Sequence, residues 1–369
     1  MIRLKIIKNL TFGILLIFCI LKSYSQEIKS DLKFIGDFRF RAELDRDSRK
    51  MDGSYRDDRD RLRYRLRAGF QYTLNKSFQF GARIRTGNAK NQQSPHITIG
   101  KEFHSDDFSI DLAYLKIKSN NGYWANLGKQ NMSFWRQNGL LWNNDVNPEG
   151  VSFGKSFSFN NNSKISPVMG YFITGSRGGK FSEDSNIIIA QLKLDSKLGD
   201  ENFIVASGII KGSKLPDTPD DTGTFFLDYS IWSSSFQIKL NDFLLGFDFI
   251  RNLKNYNLNE NILSTYKDQK NGYTGSLKYN LEKFQIGYTY AHIEKYAVID
   301  YFAQDDWLRW GNSNMTRTSN FKGHEISAKY NLNNNFNMVF RAFLVEGIKT
   351  TSTNLETGTR VRLDLNIKI

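Results

Sequence analysis

The sequence predicts an all-β fold, a transmembrane antiparallel β-barrel of about sixteen strands with short periplasmic turns and long extracellular loops. Three observations predict this fold. The chain closes on a strand with one apolar and one ionic face, alternating segments recur along its whole length, and the connections between them alternate between short and long.

The closing strand shows the alternation most clearly. Every second side chain from Val361 to Ile369 is apolar, while ionic or amide side chains from Arg360 to Lys368 take the positions between. Because successive side chains of a strand point to opposite faces, one face suits lipid and the other suits water. The edge strand of a soluble sandwich alternates in the same way, so this strand alone does not separate the two folds.

The amino terminus reads as a signal peptide over residues 1–25. Basic residues precede an apolar run over 12–21, and small residues follow up to Ser25. Cys19, the single cysteine, lies in the segment that would be removed, so no disulfide is expected. We expect export and one domain, an outer-membrane barrel over residues 26–369, located in the cell outer membrane.

The composition narrows the class of partner. With 51 Lys+Arg against 38 Asp+Glu, the chain is basic. For an exported protein, this favours anionic solutes or lipopolysaccharide phosphates over nucleic acid. After residue 25 no apolar run approaches the length of a transmembrane helix.

Sixteen alternating segments are bounded by Asn, Asp, Gly or Ser. They lie at about 31–43, 59–74, 76–88, 106–119, 122–131, 149–160, 163–175, 184–197, 200–213, 224–240, 242–254, 270–282, 283–297, 317–331, 334–348 and 358–369. Tight turns join every second pair and longer loops join the others, which is typical of outer-membrane barrels. An even number of strands brings both ends to the periplasmic side, where the last strand pairs with the first.

The alternation slips near Ala113 to Leu115 and near Trp232 to Ser234, which indicates bulges or wrongly merged strands. Elsewhere several faces are apolar enough to contact lipid. The outward positions are predicted to include Phe34, Phe38, Phe40, Ala42, Phe243, Leu245, Phe247, Phe249, Tyr273, Leu277, Tyr279, Leu281, Phe336, Met338, Phe340, Ala342 and Leu344.

Arginines dominate the inner face of the second strand and of its neighbours. Since closely spaced guanidiniums repel one another unless solvated or paired, this face must contact water or acids. The predicted inward arginines are Arg39, Arg41, Arg59, Arg61, Arg63, Arg65, Arg67, Arg83, Arg85, Arg341, Arg360 and Arg362. They form either a pore-lining selectivity surface for anions or a structural ladder neutralised by nearby acids. The candidate acids are Asp37, Glu43, Asp45, Asp47, Asp57, Asp58 and Asp60.

The third long loop is the least loop-like of the connections, because its aromatic residues are too apolar to remain in water. Residues 128–150 contain the runs Gly-Lys-Gln, Phe-Trp-Arg-Gln, Leu-Leu-Trp and Asp-Val-Asn-Pro-Glu-Gly. Together with the arginine-rich second strand and the ending Arg-Leu-Asp-Leu-Asn-Ile-Lys-Ile, these runs resemble the family of Bacteroidetes outer-membrane proteins known as putative porins. Ile369 departs from the aromatic residue that usually ends such barrels, which slightly weakens the insertion signal read by the barrel-assembly machinery.

The resemblance implies a sixteen-stranded porin whose third loop folds into the barrel and narrows the pore. That role would fall to residues 131–149, with Asp145 and Glu149 facing the arginines. The implied constriction residues are Phe134, Trp135, Arg136, Trp142, Asp145 and Glu149. A loop packed over the rim, as a lid or an oligomer contact, is the alternative.

These observations predict a diffusion channel for small hydrophilic, preferentially anionic solutes, rather than an enzyme. Transport of this kind needs no cofactor, and neither a catalytic motif nor a metal-ligand spacing is present; His292 and His324 read as outward interfacial residues. Expected partners are outer-membrane lipid and lipopolysaccharide, the assembly machinery and the solutes, and a homotrimer is compatible with the fold. Two alternatives are an outer-membrane hydrolase of lipase type and a secreted β-rich binding or adhesion protein.

Overall fold

The computed structural model describes residues 31–100, 106–160, 162–176, 178–216, 225–309 and 318–369. The predicted signal peptide, residues 1–25, lies outside the described residues. Within these ranges no helix has the length and apolar character to cross a bilayer.

Sixteen antiparallel strands form one closed wall, as predicted. Each strand pairs with the next in chain order, and the last pairs with the first. The strands are β1 Asp31–Arg49, β2 Arg59–Thr73, β3 Phe78–Thr86, β4 Phe108–Lys118, β5 Tyr123–Lys129, β6 Glu149–Lys155 continued by Phe157–Asn160, β7 Ser163–Gly175, β8 Ser185–Leu198, β9 Glu201–Pro216, β10 Phe226–Leu240, β11 Phe243–Asn252, β12 Asn271–Leu281, β13 Phe284–Ile293, β14 Phe321–Asn331, β15 Phe336–Gly347 and β16 Thr357–Lys368. A two-residue strand, Ile97–Thr98, pairs with β2 from within a loop, and a 3-10 turn covers Ser264–Tyr266.

The connections separate the two rims of the barrel. Turns of two to four residues join β2 to β3, β4 to β5 and each later pair in the same order, while loops of nine residues or more make the other connections. The predicted sorting of turns and loops by length is therefore confirmed. We call the two ends of the barrel the short-turn rim and the long-loop rim.

Charge complementarity fixes the register at the closure. On the inner face Arg41 of β1 lies opposite Asp364 of β16, Glu43 opposite Arg362, and Asp45 opposite Arg360. Cross-strand neighbours of opposite charge stabilise a sheet and like charges destabilise it. A shift of two residues would set Arg41 opposite Arg362 in one direction, or Glu43 opposite Asp364 in the other. The first and last strands thus select one another by charge as well as by hydrogen bonding.

The two predicted slips have different causes. In β4, Ile110 pairs with Ile84 and Leu112 with Arg83, so Asp111 is the extra residue of a bulge. Strand β10 keeps continuous pairing with both neighbours around Trp232. There the inner face changes from serines to apolar residues, because apolar side chains of the loops pack inside the barrel near its long-loop rim.

The outer face carries the apolar side chains that the alternation assigned to it. Most of the predicted outward positions are more than a third exposed, and Phe34 reaches 68%. The predicted outward positions that are more than a third exposed are Phe34, Phe38, Phe243, Leu245, Phe247, Tyr273, Leu277, Leu281, Phe340 and Leu344. A continuous apolar band of this kind is the surface that a bilayer solvates.

An arginine on the outer face should be far more costly than one on the inner face. Phe247 is 48% exposed near the middle of β11, whereas Gln237 of β10 points inward. We expect Phe247→Arg to lower the free energy of unfolding by about 2–4 kcal/mol. The matched variant Gln237→Arg should change it by less than about 1 kcal/mol. Urea unfolding from phospholipid vesicles measures both, and equal losses would contradict the assignment of the faces.

Candidate functional site

The third long loop, residues 130–148, spans the lumen, and we call it the crossing loop. At one side the Asp145 carboxylate accepts hydrogen bonds from Arg67 at 2.8 Å and Arg65 at 3.4 Å, both on β2. At the other side Asn138 donates to Asp248 of β11 at 2.5 Å. In a closed wall of sixteen strands β2 and β11 lie nearly opposite one another, so the loop reaches from wall to wall.

Further contacts hold the crossing loop against the strands between these two sides. The backbone N–H of Trp135 donates to Gln191 of β8 at 2.7 Å, and the Gln191 amide donates back to the Trp135 carbonyl at 2.8 Å. Asn147 donates to Asp111 at 2.7 Å, and Arg83 donates to the other oxygen of the same carboxylate. The bulge in β4 therefore turns Asp111 inward, where it joins the loop to the wall.

Apolar packing fills the lumen on the β7–β13 side near the long-loop rim. Phe134, Leu140 and Trp142 of the crossing loop are at most 3% exposed. The wall residues buried with them are Phe172, Ile187, Ile189, Ile210, Ile231, Ile250 and Ile293. Burial of this apolar surface explains why the loop folds inward, as its aromatic content indicated.

A second loop, residues 294–320, adds to this core, and we call its described part the seventh loop. Phe302 stacks on Trp142 with ring centroids 4.6 Å apart, and the Asn143 backbone N–H donates to the Phe302 carbonyl at 2.6 Å. Trp307 packs against Phe321 of β14 and Phe343 of β15. The sequence predicted only a long connection here, although its apolar pairs, such as Trp307-Leu308, resemble those of the crossing loop.

The inward arginines form one group on β1, β2, β3, β15 and β16, and we call them the arginine belt. Its members are Arg39, Arg41, Arg59, Arg61, Arg63, Arg65, Arg67, Arg83, Arg85, Arg341, Arg360 and Arg362. Eleven of the twelve have a carboxylate oxygen within 4.0 Å. The exception, Arg85, donates to the carbonyls of Gln92, Asn88 and Asn91.

Two acids act as centres of the belt. Glu43, which is fully buried, contacts Arg362 at 2.6 Å, Arg63 at 3.8 Å and also Arg61. Asp364 contacts Arg41 at 2.6 Å, Arg341 at 3.5 Å and Arg39 at 4.0 Å. A buried charge is tolerated only when it is paired and hydrogen-bonded. Each of these acids therefore allows several charged guanidiniums to be buried inside the barrel.

The belt also anchors the seventh loop through Asp306, whose carboxylate contacts Arg362 and lies 3.6 Å from Arg41. Burial alone would raise the pKa of this carboxyl, but the guanidiniums of Arg362 and Arg41 hold the pKa well below its usual range. Both inner loops are thus tied to the same basic wall, the crossing loop by Asp145 and the seventh loop by Asp306.

The remaining predicted residues have other surroundings. Glu149 is the first residue of β6 and pairs with Lys129 at 2.7 Å instead of contacting the arginine belt. Arg136 lies within the crossing loop, where its Nε donates to the Trp142 carbonyl at 2.8 Å. His292 stacks on Tyr273, and His324 shares a hydrogen bond with the Tyr288 hydroxyl, both on the outer face.

Seven lysines line the inner face nearer the short-turn rim, and sequence reasoning did not single them out. They are Lys33, Lys116, Lys164, Lys193, Lys239, Lys278 and Lys329, and we call them the lysine set. Within the described part of the chain, only Lys193 has a carboxylate within 4.0 Å, that of Asp195. The regular alternation of these strands could have identified the lysines, because six of the seven lie between two apolar residues.

Residues 51–204 match a family model described as "Putative porin". Comparison of the sequence with curated proteins gives no match.

The fold is similar to those of solved outer-membrane proteins. OprB of Pseudomonas putida is 10% identical over 92% of this chain and 94% of its own, with a TM-score of 0.58. The outer membrane channel DcaP of Acinetobacter baumannii is 13% identical over 95% and 100%, with a TM-score of 0.50. OmpT of Vibrio cholerae in its trimer form is 13% identical over 92% and 99%, also at 0.50.

Removal of the Glu43 charge should destabilise the barrel strongly, because it leaves Arg61, Arg63 and Arg362 without their shared acid. We expect Glu43→Gln to lower the free energy of unfolding by about 3–5 kcal/mol. The matched control is Glu346→Gln, since Glu346 pairs with Lys322 at 3.3 Å and both side chains are 44% exposed. This control should cost less than about 1 kcal/mol. Urea unfolding in vesicles compares them, and similar small losses would show that the belt is not structurally essential.

Proposed function

We propose that the protein is a porin of the bacterial outer membrane, a passive diffusion channel for small hydrophilic solutes with a preference for anions. The observation that carries this proposal is a barrel of sixteen strands whose lumen is spanned by the crossing loop and carries the lysine set, in which only Lys193 has a described carboxylate within 4.0 Å. Sixteen strands enclose an aqueous space rather than a filled core. The match to a family of putative porins over residues 51–204 supports the same function.

Selectivity by charge follows from the inner surface. Pairing with carboxylates reduces the field that most belt arginines present to a passing ion, whereas most of the lysine set has no such partner. Unpaired cations on the wall of the lumen raise the local concentration of anions. We propose that the lysine set carries most of the preference and that the arginine belt serves mainly to shape the wall and anchor the loops.

The partners that we propose for the barrel are its membrane, other copies of the chain and the assembly machinery. The apolar outer band supports insertion into lipid, and the similarity to OmpT in its trimer form supports a homotrimer. Contact with lipopolysaccharide would use the basic side chains near the long-loop rim, and the assembly machinery would read β16. A lipase-type site on the outer wall is less well supported, because His292 and His324 contact tyrosines there.

Purified protein in a planar bilayer should conduct in steps, and shortening the crossing loop should increase each step. We expect replacement of residues 133–145 by a short Gly-Ser link to raise single-channel conductance about two-fold or more, because conductance follows the narrowest cross-section. The control is replacement of residues 350–355, which lie in the last loop, by the same Gly-Ser link. A folded barrel that does not conduct would overturn the channel, and unchanged conductance would overturn the constriction.

Removal of charge from the lysine set should weaken anion preference. In a salt gradient, we expect the double variant Lys278→Gln and Lys329→Gln to move the reversal potential toward that of a non-selective pore, since two unpaired cations leave the lumen. The control is Lys322→Gln, whose side chain is on the outer face and paired with Glu346. A preference that persists in the double variant, but is lost in Arg39→Gln and Arg341→Gln, would assign selectivity to the belt instead.

A further inference from the structure

A cavity of about 370 Å³ lies between the crossing loop and strands β7 and β8. The loop contributes Trp135, Arg136 and Asn144, and the strands contribute Val168, Gln191 and Lys193. The strand residues belong to the part of the wall nearer the short-turn rim, so the cavity faces that half of the lumen. Its volume is that of a pocket for one small molecule.

Arg136 is the unusual member of this cavity because its charge has no acid beside it. Its Nε donates to the Trp142 carbonyl at 2.8 Å, one terminal nitrogen donates to the Phe134 carbonyl at 3.1 Å, and the other donates to Asn144 Oδ1 at 2.8 Å. Among the residues that the structure describes, no carboxylate lies within salt-bridge distance of it. The arginine belt shows the contrary pattern, since eleven of its twelve members are paired.

The hydrogen-bond inventory of Arg136 leaves room for a ligand. A guanidinium carries five N–H donors, and the three neutral acceptors occupy three of them. Burial lowers the pKa of Arg136 to about 10, so the group remains charged at neutral pH. The three contacts also fix the plane of the guanidinium, which reduces the entropy lost when an anion binds to the two free donors.

The other lining residues indicate the size and character of the ligand. Lys193 adds a second cation, whose Nζ lies 2.9 Å from Asp195 Oδ1. Trp135 is held in place by the two hydrogen bonds between its backbone and Gln191, and its indole offers a flat apolar surface. Asn144, Ser133 and Ser166 also line the cavity. The Asn144 oxygen accepts from Arg136 and each serine hydroxyl bonds to another serine, so the Asn144 amide N–H groups and further lone pairs of the hydroxyls remain for a hydroxylated ligand.

We propose that this cavity is a binding site for a small hydroxylated carboxylate of the size of a sugar acid, with Arg136 as the carboxylate-binding group. The inference rests on the proposed channel function, because the ligand reaches the cavity through the lumen. Arg136 engages the carboxylate with its free donors, Lys193 adds attraction at longer range, and Trp135 contacts the body of the ligand.

Calorimetric titration of the full chain in detergent tests the site with three probes, namely glucuronate, glucose and acetate. We expect glucuronate to bind at least about tenfold more tightly than either of the others, because a charge-assisted pair and a fitted body each contribute. Arg136→Gln should weaken glucuronate binding at least about tenfold while leaving glucose within about threefold. Equal binding of glucose and glucuronate, or of acetate and glucuronate, would overturn the proposal.

Arg136→Gln also removes contacts that shape the crossing loop, so a second variant is needed. Lys193 bonds to Asp195 of its own strand rather than to that loop, and we expect Lys193→Gln to weaken glucuronate binding about threefold or more. Arg251 lies at the long-loop end of β11, away from the cavity. Arg251→Gln is the matched arginine control and should leave binding unchanged. Folding of each variant is checked by the change in gel mobility that heating causes in a folded barrel. If neither Arg136→Gln nor Lys193→Gln alters glucuronate affinity in folded protein, the proposed binding site is contradicted.

Conductance recorded from the same preparations separates the two proposals. Stepwise conductance without glucuronate binding would overturn the site and leave the channel intact. Glucuronate binding by a folded barrel that does not conduct would leave the site intact and overturn the channel.

Discussion

The pairing of buried guanidiniums with a few carboxylates is the constraint on which the rest of the structure depends. Arginines on five neighbouring strands could not share one inner face without Glu43, Asp45 and Asp364 between them. Since these acids lie on β1 and β16, the neutralisation is completed only when the first and last strands meet. Closure of the barrel therefore completes the charge neutralisation inside the wall.

Near the long-loop rim, the two sides of the barrel wall bind the inner loops by different interactions. On the β7–β13 side the crossing loop is held by apolar burial, which is strong but has no preferred direction. On the belt side Asp145 and Asp306 bind guanidiniums, and these bonds are directional. The apolar contacts draw the loops into the barrel, and the ionic contacts decide how they lie once inside.

The sequence allowed prediction of the wall much better than of its contents. All sixteen strands, the sorting of turns and loops, and the inward position of the arginines follow from a period of two and from local turn chemistry. The acids Asp37, Glu43 and Asp45 were also foreseeable, because they occur on β1 itself. The anchoring role of Asp306 was not, since an aperiodic loop gives no indication of the wall that it touches. The partner of Glu149 was equally hard to predict. Pairing of β5 with β6 places Lys129 opposite Glu149, and the sequence of the loop between these strands does not reveal that contact.

The location of unpaired charge follows from this division of the lumen. On the belt side, where both inner loops pack against the wall, eleven of the twelve belt arginines have a carboxylate oxygen within 4.0 Å, because an unpaired buried guanidinium is costly. Nearer the short-turn rim only Lys193 of the lysine set has a described carboxylate within 4.0 Å, and flexible lysine side chains can keep their charges in water at little cost. Arg136 of the crossing loop resembles the lysines in having no described carboxylate beside it, but its guanidinium is held by three neutral acceptors. An anion attracted by the lysines would thus meet, in the cavity that Lys193 shares with Arg136, a guanidinium whose remaining donors are not taken by an acid.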